Sequence, residues 1–84
     1  MTETTIYLTR WCPFCTRAIA LLDSKQVEYT AIDIDADIAL RQEMMTRSQR
    51  RTVPQIFIGD VHVGGCDDLF ALERAGELDK LLSR

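Results

Sequence analysis

The sequence predicts an α/β domain in which helices flank a mixed four-stranded sheet. Strand-like and helix-like patterns alternate along the chain in the order β-α-β-α-β-β-α. Helices follow the first two strand patterns, whereas two residues join the last two strands, so parallel and antiparallel pairing are both expected. With 84 residues, of which 46% are hydrophobic, the chain can bury one compact core. We therefore expect a single domain over residues 1–84.

The N-terminal half contains two strand-helix pairs. β-branched and aromatic residues predict a first strand over Thr4–Leu8. Apolar residues at helical spacing then predict a helix over Pro13–Ser24. Alternating side chains predict the second strand over 27–32, and apolar residues one turn apart predict a second helix over 38–47.

The C-terminal half begins with a hairpin. The strands are expected at Gln55–Ile58 and 61–63, with Gly59 at the first position of a two-residue type II′ turn. Asp67 is expected to cap a third helix, and Gly76 to separate it from a short C-terminal helix. The apolar positions of these two helices are Leu69, Phe70, Leu72, Leu78, Leu81 and Leu82.

Three alternating aspartates, Asp33, Asp35 and Asp37, precede the second helix. We interpret them as a loop that ends in an N-cap carboxylate. A Ca²⁺-binding loop that starts at Asp33 would need glycine at its sixth position and glutamate at its twelfth, where this chain has Ile38 and Met44. The spacing therefore does not indicate a calcium site.

Composition excludes several classes of function. No apolar stretch is long enough to span a bilayer, and the first residues resemble no secretory leader. The net charge of −3 gives no general attraction to nucleic acid or to an anionic membrane. Three cysteines, an odd number, favour reactive thiols over a structural disulfide framework. We expect a cytoplasmic protein.

The chemistry of the sequence is concentrated in Cys12-Pro13-Phe14-Cys15, between the first strand and the first helix. A helix N-terminus favours a thiolate at Cys12, and Pro13 suits the first helical position. Cys15 is expected inside the first turn and less exposed. We therefore predict a thioredoxin-like redox domain in which Cys12 attacks disulfides and Cys15 resolves the mixed disulfide.

Other side chains have less specific interpretations. Trp11, next to the dithiol, is expected to be either partly buried or an exposed contact for a protein substrate. His62, on a short strand, is expected to be an ordinary exposed or edge histidine rather than a catalytic base. The basic cluster Arg47, Arg50 and Arg51 is expected to be solvated surface, with attraction of anions as a weaker hypothesis.

Three motifs in order resemble the glutaredoxin family: Cys12-Pro13-Phe14-Cys15, Thr52-Val53-Pro54 and Gly64-Gly65-Cys66-Asp67-Asp68. The resemblance runs nearly end to end and is greatest to small bacterial dithiol glutaredoxins. The family usually has Tyr where Phe14 stands. That difference keeps the aromatic face and removes a hydroxyl that could bond substrate.

The resemblance implies a glutathione site. Pro54 matches the family's cis-proline, and the backbone of Val53 would pair with the cysteine of glutathione. Thr52 and Gly65 belong to the same motifs. Cys66 and Asp67 match the positions that hold the γ-glutamyl end, through backbone N–H groups and a carboxylate respectively.

Two arginines are candidates for the glycine carboxylate of glutathione. Arg41 lies where the family places a Gln or Arg, by an ungapped count back from Pro54. Many glutaredoxins also have a lysine three residues before the nucleophile, where this chain has Thr9. Arg10 is a candidate replacement, although a one-residue shift in an extended segment reverses the side-chain direction.

The resemblance implies a glutathione-dependent disulfide oxidoreductase that acts in electron transport and cell redox homeostasis. Its substrates would be protein–glutathione mixed disulfides and protein disulfides, including possible targets such as ribonucleotide reductase. Glutathione is a co-substrate, and no metal or flavin is required. We expect a monomer without nucleic-acid or membrane partners.

Other functions remain open at this point. Cys12, Cys15, Cys66 and His62 could in principle form a zinc site, and a glutathione-ligated iron–sulfur cluster is a further alternative. A redoxin reduced by thioredoxin reductase, serving ribonucleotide reductase, would lack the glutathione-binding residues. A purely structural dithiol fits poorly, because so short a loop stabilises little.

Overall fold

The computed structural model describes residues 3–83. In chain order the elements are β1 (Thr4–Leu8), α1 (Pro13–Ser24), β2 (Tyr29–Asp33), α2 (Ile38–Ser48), β3 (Gln55–Ile58), β4 (Val61–Gly64), α3 (Cys66–Arg74) and α4 (Leu78–Leu81). The sheet order is β2-β1-β3-β4. β1 runs parallel to β2 and antiparallel to β3, and β4 is antiparallel to β3. The predicted mixed sheet with flanking helices is confirmed.

Two predicted element boundaries are wrong. β2 begins at Tyr29, not Val27, because the N–H of Val27 donates to the carbonyl of Leu22 at 3.1 Å and completes the end of α1. α3 begins at Cys66 with Gly65 as its N-cap, so Asp67 is not the cap but lies in the first turn. The remaining predicted strands and helices agree with the structure to within about one residue.

Alternating side chains of the central strands supply the two halves of the core. Ile6 and Ile56 point to one face, where they pack with residues of α1, α3 and α4. Tyr7 and Phe57, their neighbours in sequence, point to the other face with Met44 of α2. This period of two follows from the pleat of the strands. Both faces of the sheet are therefore covered by helices.

Local capping sets the start of α2. The carboxylate of Asp37 accepts a hydrogen bond from the N–H of Ala39 at 2.9 Å, as predicted for an N-cap. Asp33 accepts from the N–H of Asp35 at 2.8 Å and closes the preceding turn. Within residues 3–83, no helix has the length and apolar composition needed to cross a membrane.

Gly64, at the end of β4, has a backbone conformation that few other residues adopt. Its φ is +114°, and a Cβ added at this position would collide with Oδ2 of Asp68. That same oxygen accepts a hydrogen bond from the N–H of Gly65 at 2.9 Å. A glycine at position 64 therefore allows Asp68 to hold the start of α3.

We expect Gly64→Ala to destabilise the protein by about 3 kcal/mol, because the change adds backbone strain and displaces Asp68 from Gly65. Gly76→Ala is the matched control. Gly76 also has a positive φ, of +73°, but no atom within 4 Å of its added Cβ, so we expect a loss of about 1 kcal/mol. Urea unfolding of both variants measures the difference, and equal losses would contradict the predicted clash.

Candidate active site

The dithiol lies where β1 leads into α1. Cys12 is the N-cap of α1, and its Sγ accepts a hydrogen bond from the N–H of Cys15 at 3.1 Å. Pro13 occupies the first turn, where its missing N–H leaves no partner unsatisfied. The predicted placement of Cys12 at a helix N-terminus is therefore confirmed.

The two thiols have different environments. Cys12 is half-buried, whereas Cys15 is only 2% exposed. Burial, together with the adjacent Cys12, raises the pKa of the Cys15 thiol to about 12. Cys12 is consequently the accessible sulfur, and Cys15 lies behind it in the core as predicted.

The segment before β3 approaches the dithiol from the other side. The peptide bond between Val53 and Pro54 is cis. The carbonyl oxygen of Val53 lies 3.8 Å from Sγ of Cys12. Thr52, Val53 and Pro54 are thereby placed next to the nucleophile predicted from the sequence.

A cleft of about 310 Å³ lies beside this contact. Its walls come from the beginning of α1, the segment before β3 and the beginning of α3. The lining residues are Phe14, Arg50, Thr52, Val53, Pro54, Gly65, Cys66, Asp67 and Asp68. Three motifs that are distant in the sequence therefore meet at a single cleft.

Arg10 and Arg41 are the predicted glutathione-binding residues that do not line this cleft. Arg41 forms an exposed ion pair with Asp35 at 2.9 Å. The guanidinium of Arg10 lies 5.9 Å from the ring centre of Trp11. Their predicted contact with the glycine carboxylate of glutathione stays a prediction.

The beginning of α3 forms the far wall of the cleft. Cys66 is 4% exposed, and burial raises the pKa of its thiol. Asp67, next along the helix, is exposed. The first turn of α3 can thus present backbone N–H groups and the Asp67 carboxylate to a ligand.

Arg50 and Asp68 are cleft residues that were not among the predicted site residues. Arg50 Nη1 lies 3.0 Å from Asp68 Oδ2. The N–H of Gly65 and the guanidinium of Arg50 lower the pKa of the Asp68 carboxyl. Asp68 lies at the third position of α3, where the second side chain of a capping box lies, but nothing in the sequence pairs Asp68 with Arg50.

Two aromatic side chains flank the dithiol on the surface. Trp11 is 88% exposed and Phe14 is 53% exposed. Of the two interpretations of Trp11, the structure supports the exposed one. The approach to Cys12 is therefore bordered by apolar surface that a polypeptide could cover.

His62 lies on the edge strand β4, as predicted, but its side chain is not freely solvated. It is half-buried, its Nε2 lies 2.8 Å from Oε1 of Gln55, and its ring stacks on Phe57 with ring centres 4.9 Å apart. Burial and the nearby Arg50 lower the pKa of His62. The edge alternative of the prediction is therefore confirmed, whereas the exposed alternative is wrong.

The cysteines and His62 are not gathered into a metal-ligand set. Within the part of the chain that the structure describes, no group of three or more His, Cys, Asp or Glu side chains is placed to hold a metal ion. All three cysteines are free thiols. This geometry gives no support to the four-ligand zinc alternative.

The comparisons with known proteins agree with the fold. The sequence model of the glutaredoxin family matches residues 4–63. A glutaredoxin of Pseudomonas aeruginosa is 54% identical over 83 residues, 99% of each chain. The solution structure of a Brucella melitensis glutaredoxin is 57% identical, with a TM-score of 0.86 over 98% of this chain and 89% of that one.

A buckwheat glutaredoxin–glutathione complex is 29% identical, with a TM-score of 0.89 over 98% of this chain and 77% of that one. The chain belongs to the glutaredoxin family. Membership implies the activity of a thiol–disulfide oxidoreductase.

We expect iodoacetamide to alkylate only Cys12 rapidly in the reduced protein at pH 7.5. Cys15 should react at least about 100-fold more slowly, because its raised pKa leaves little thiolate. As long as the pH is below the Cys15 pKa of about 12, the rate of Cys15 alkylation should rise about tenfold per pH unit. Peptide mass spectrometry over time measures each site, with Cys12→Ser as the control that loses the rapid phase. Comparable rates at both cysteines would contradict the asymmetry.

Proposed function

We propose that the protein is a glutathione-dependent oxidoreductase that reduces protein–glutathione mixed disulfides and protein disulfides. The proposal rests mainly on the position of Cys12, whose Sγ lies 3.8 Å from the Val53 carbonyl oxygen. This contact lies next to a cleft that Thr52, Pro54 and the beginning of α3 also border. A sulfur held in that cleft would be presented to the nucleophile.

The cleft has complementary groups for the ends of a γ-glutamyl tripeptide. The backbone of Val53, which lines the cleft, can pair with the central peptide, as an added strand pairs with a sheet edge. The N–H groups at the start of α3 favour an α-carboxylate, and Asp67 can pair with the ammonium. The structural similarity to the buckwheat glutaredoxin–glutathione complex supports this assignment.

Deglutathionylation would need only Cys12. Its thiolate attacks the glutathionyl sulfur of the substrate, so that a Cys12–glutathione disulfide forms while the substrate's disulfide breaks. The substrate thiolate leaves and takes a proton from solvent. A second glutathione thiolate then attacks the glutathionyl sulfur, which releases glutathione disulfide and restores the Cys12 thiolate.

Reduction of a protein disulfide would also use Cys15. The Cys12 thiolate first attacks one sulfur of the substrate disulfide and releases the other as a thiolate, which takes a proton from solvent. Cys15 then attacks Sγ of Cys12. The substrate sulfur that was bonded to Cys12 leaves and is protonated, and a Cys12–Cys15 disulfide remains. Two glutathione molecules reopen it and supply the two electrons. Because burial raises the pKa of Cys15, its proton must be removed before or during the attack.

Protein substrates would approach over the exposed surface beside Cys12. Trp11 and Phe14 supply apolar area there, and disulfide-containing proteins such as ribonucleotide reductase are candidate partners. A reducing compartment such as the cytoplasm would keep the three free thiols reduced. In this function glutathione is the co-substrate, with no bound cofactor.

We expect Cys12→Ser to lower turnover of a glutathionylated peptide by more than about 100-fold, because serine is a far weaker nucleophile than a thiolate. Cys15→Ser should retain most of this turnover and lose the reduction of protein disulfides. Steady-state assays with reduced glutathione measure both activities.

Equal losses from both changes would contradict the division of labour between the cysteines. Inactivity of all three proteins with glutathione, together with reduction of the wild-type disulfide by thioredoxin reductase and NADPH, would instead support the redoxin alternative.

We expect Asp67→Asn to raise the KM for glutathione about tenfold, since a charge-assisted hydrogen bond contributes roughly 1.5–3 kcal/mol. Asp60→Asn, an equal charge change in the exposed hairpin turn, is the matched control and should leave KM unchanged. Initial rates at varied glutathione measure the effect. An unchanged KM in Asp67→Asn would remove this carboxylate from the assigned site.

A further inference from the structure

Gln55, the first residue of β3, is a fully buried polar side chain directly after the cis-proline segment. It is 0% exposed. Its Nε2 lies 3.0 Å from the carbonyl oxygen of Thr52 and 3.2 Å from the Thr52 hydroxyl. Its Oε1 lies 2.8 Å from Nε2 of His62. Gln55 therefore connects His62 on the edge strand with a residue that lines the cleft.

The direction of these hydrogen bonds follows from their chemistry. The carbonyl oxygen of Thr52 can only accept, so the nitrogen of the Gln55 amide must face it. The amide oxygen of Gln55 therefore faces His62, and Nε2 of His62 must carry the hydrogen that it donates. A chain of hydrogen bonds thus runs from His62, the first donor, through Gln55 to the Thr52 carbonyl, the final acceptor.

The imidazole of His62 is itself held in place by packing. Its ring stacks on Phe57 at an interplanar angle of 29°, and the guanidinium of Arg47 lies 4.1 Å from the centre of the Phe57 ring. Arg47 also donates to the hydroxyl of Tyr7 at 2.8 Å. The His62 end of this hydrogen-bond chain is therefore packed on Phe57 of β3, which in turn contacts Arg47 of α2.

We propose that His62 and Gln55 are positioning residues for the active site, because they fix the Thr52 carbonyl and through it the Val53 peptide beside Cys12. Neither His62 nor Gln55 lines the cleft, so both act through Thr52. This inference rests on the proposed function, in which the Val53 peptide orients the sulfur of glutathione.

The segment between α2 and β3 is held by side-chain contacts rather than by regular backbone pairing, and the contact to the Thr52 carbonyl comes from Gln55. Thr52 is exposed and Val53 is half-buried, and residues 49–54 form no helix or strand. Without the Gln55 amide, the Thr52 carbonyl would lose its buried donor, and the segment could shift. A displacement of about 1 Å in a positioning group can cost up to about 100-fold in rate.

Matched variants separate positioning from simple packing. His62→Leu removes the donor, whereas His62→Gln can place its own Nε2 near the position of the imidazole Nε2. Gln55→Leu removes the middle link with little change in volume. Ile56→Val is the control, since Ile56 is the next residue of β3 and is buried on the opposite face of the sheet.

The experiment measures kcat/KM for a glutathionylated peptide, the rate of Cys12 alkylation by iodoacetamide, and Tm. We expect His62→Leu and Gln55→Leu to lower kcat/KM about five- to tenfold, and His62→Gln to remain within about twofold of wild type. Alkylation of Cys12 should be unchanged, because it needs the thiolate and not the oriented peptide. Ile56→Val should lower Tm and leave kcat/KM unchanged.

If both leucine variants keep the wild-type kcat/KM but have a lower Tm, the His62–Gln55–Thr52 hydrogen bonds contribute only to core packing. That result would overturn this inference and leave the proposed function intact. Equal losses in kcat/KM for His62→Leu, His62→Gln and Ile56→Val would do the same, because activity would then follow stability. If the wild-type protein does not turn over the glutathionylated peptide, both the proposed function and this inference are overturned. Because His62 is half-buried on an edge strand, His62→Leu still decides the question if Gln55→Leu does not fold.

Discussion

The antiparallel pairing of β1 with β3 is the constraint on which the active site depends. Tyr7 pairs with Gln55, so the end of β1 and the start of β3 lie at the same edge of the sheet. The dithiol follows β1 and the cis-proline segment precedes β3, and the pairing therefore brings them together. β4 ends at this edge too, with Gly64 opposite Ile56. Strand pairing alone explains why motifs from three parts of the chain meet.

The depth of each sulfur in the fold supports the proposed division of labour between the two cysteines. Cys12 and Cys15 lie within one helical turn, but the helix directs Cys15 into the core and leaves Cys12 at the surface. Burial disfavours the charged thiolate of Cys15 and raises the pKa of this thiol. Cys12 can consequently react first with a substrate in solution, without competition from its neighbour.

The features that the sequence predicts are those set by short-range rules. Alternation along β1, the proline after Cys12 and the acidic cap of α2 all act within a few residues. The pairing of Arg50 with Asp68 spans 18 positions and depends on how α3 packs against the segment before β3. Likewise, the ungapped count back from Pro54 assigned Arg41 to the glycine carboxylate of glutathione. That count could not show that Asp35 lies within hydrogen-bond distance of Arg41. Such contacts follow from tertiary packing, which has no signature in the pattern of residues.

The β3–β4 hairpin has an irregular register between Ile56 and Phe57, at the end that lies beside the candidate active site. Ile58 pairs with Val61 and Phe57 with His62, but Ile56 pairs with Gly64, so β4 has one extra residue at this point. Such a bulge ends regular pairing and redirects the strand that contains it. Gly65 is thereby brought to the cis-proline segment, close enough that an added Cβ would lie 3.5 Å from the Pro54 carbonyl. Because the bulge follows His62, the stacking of that ring on Phe57 and the placement of α3 both depend on one local register.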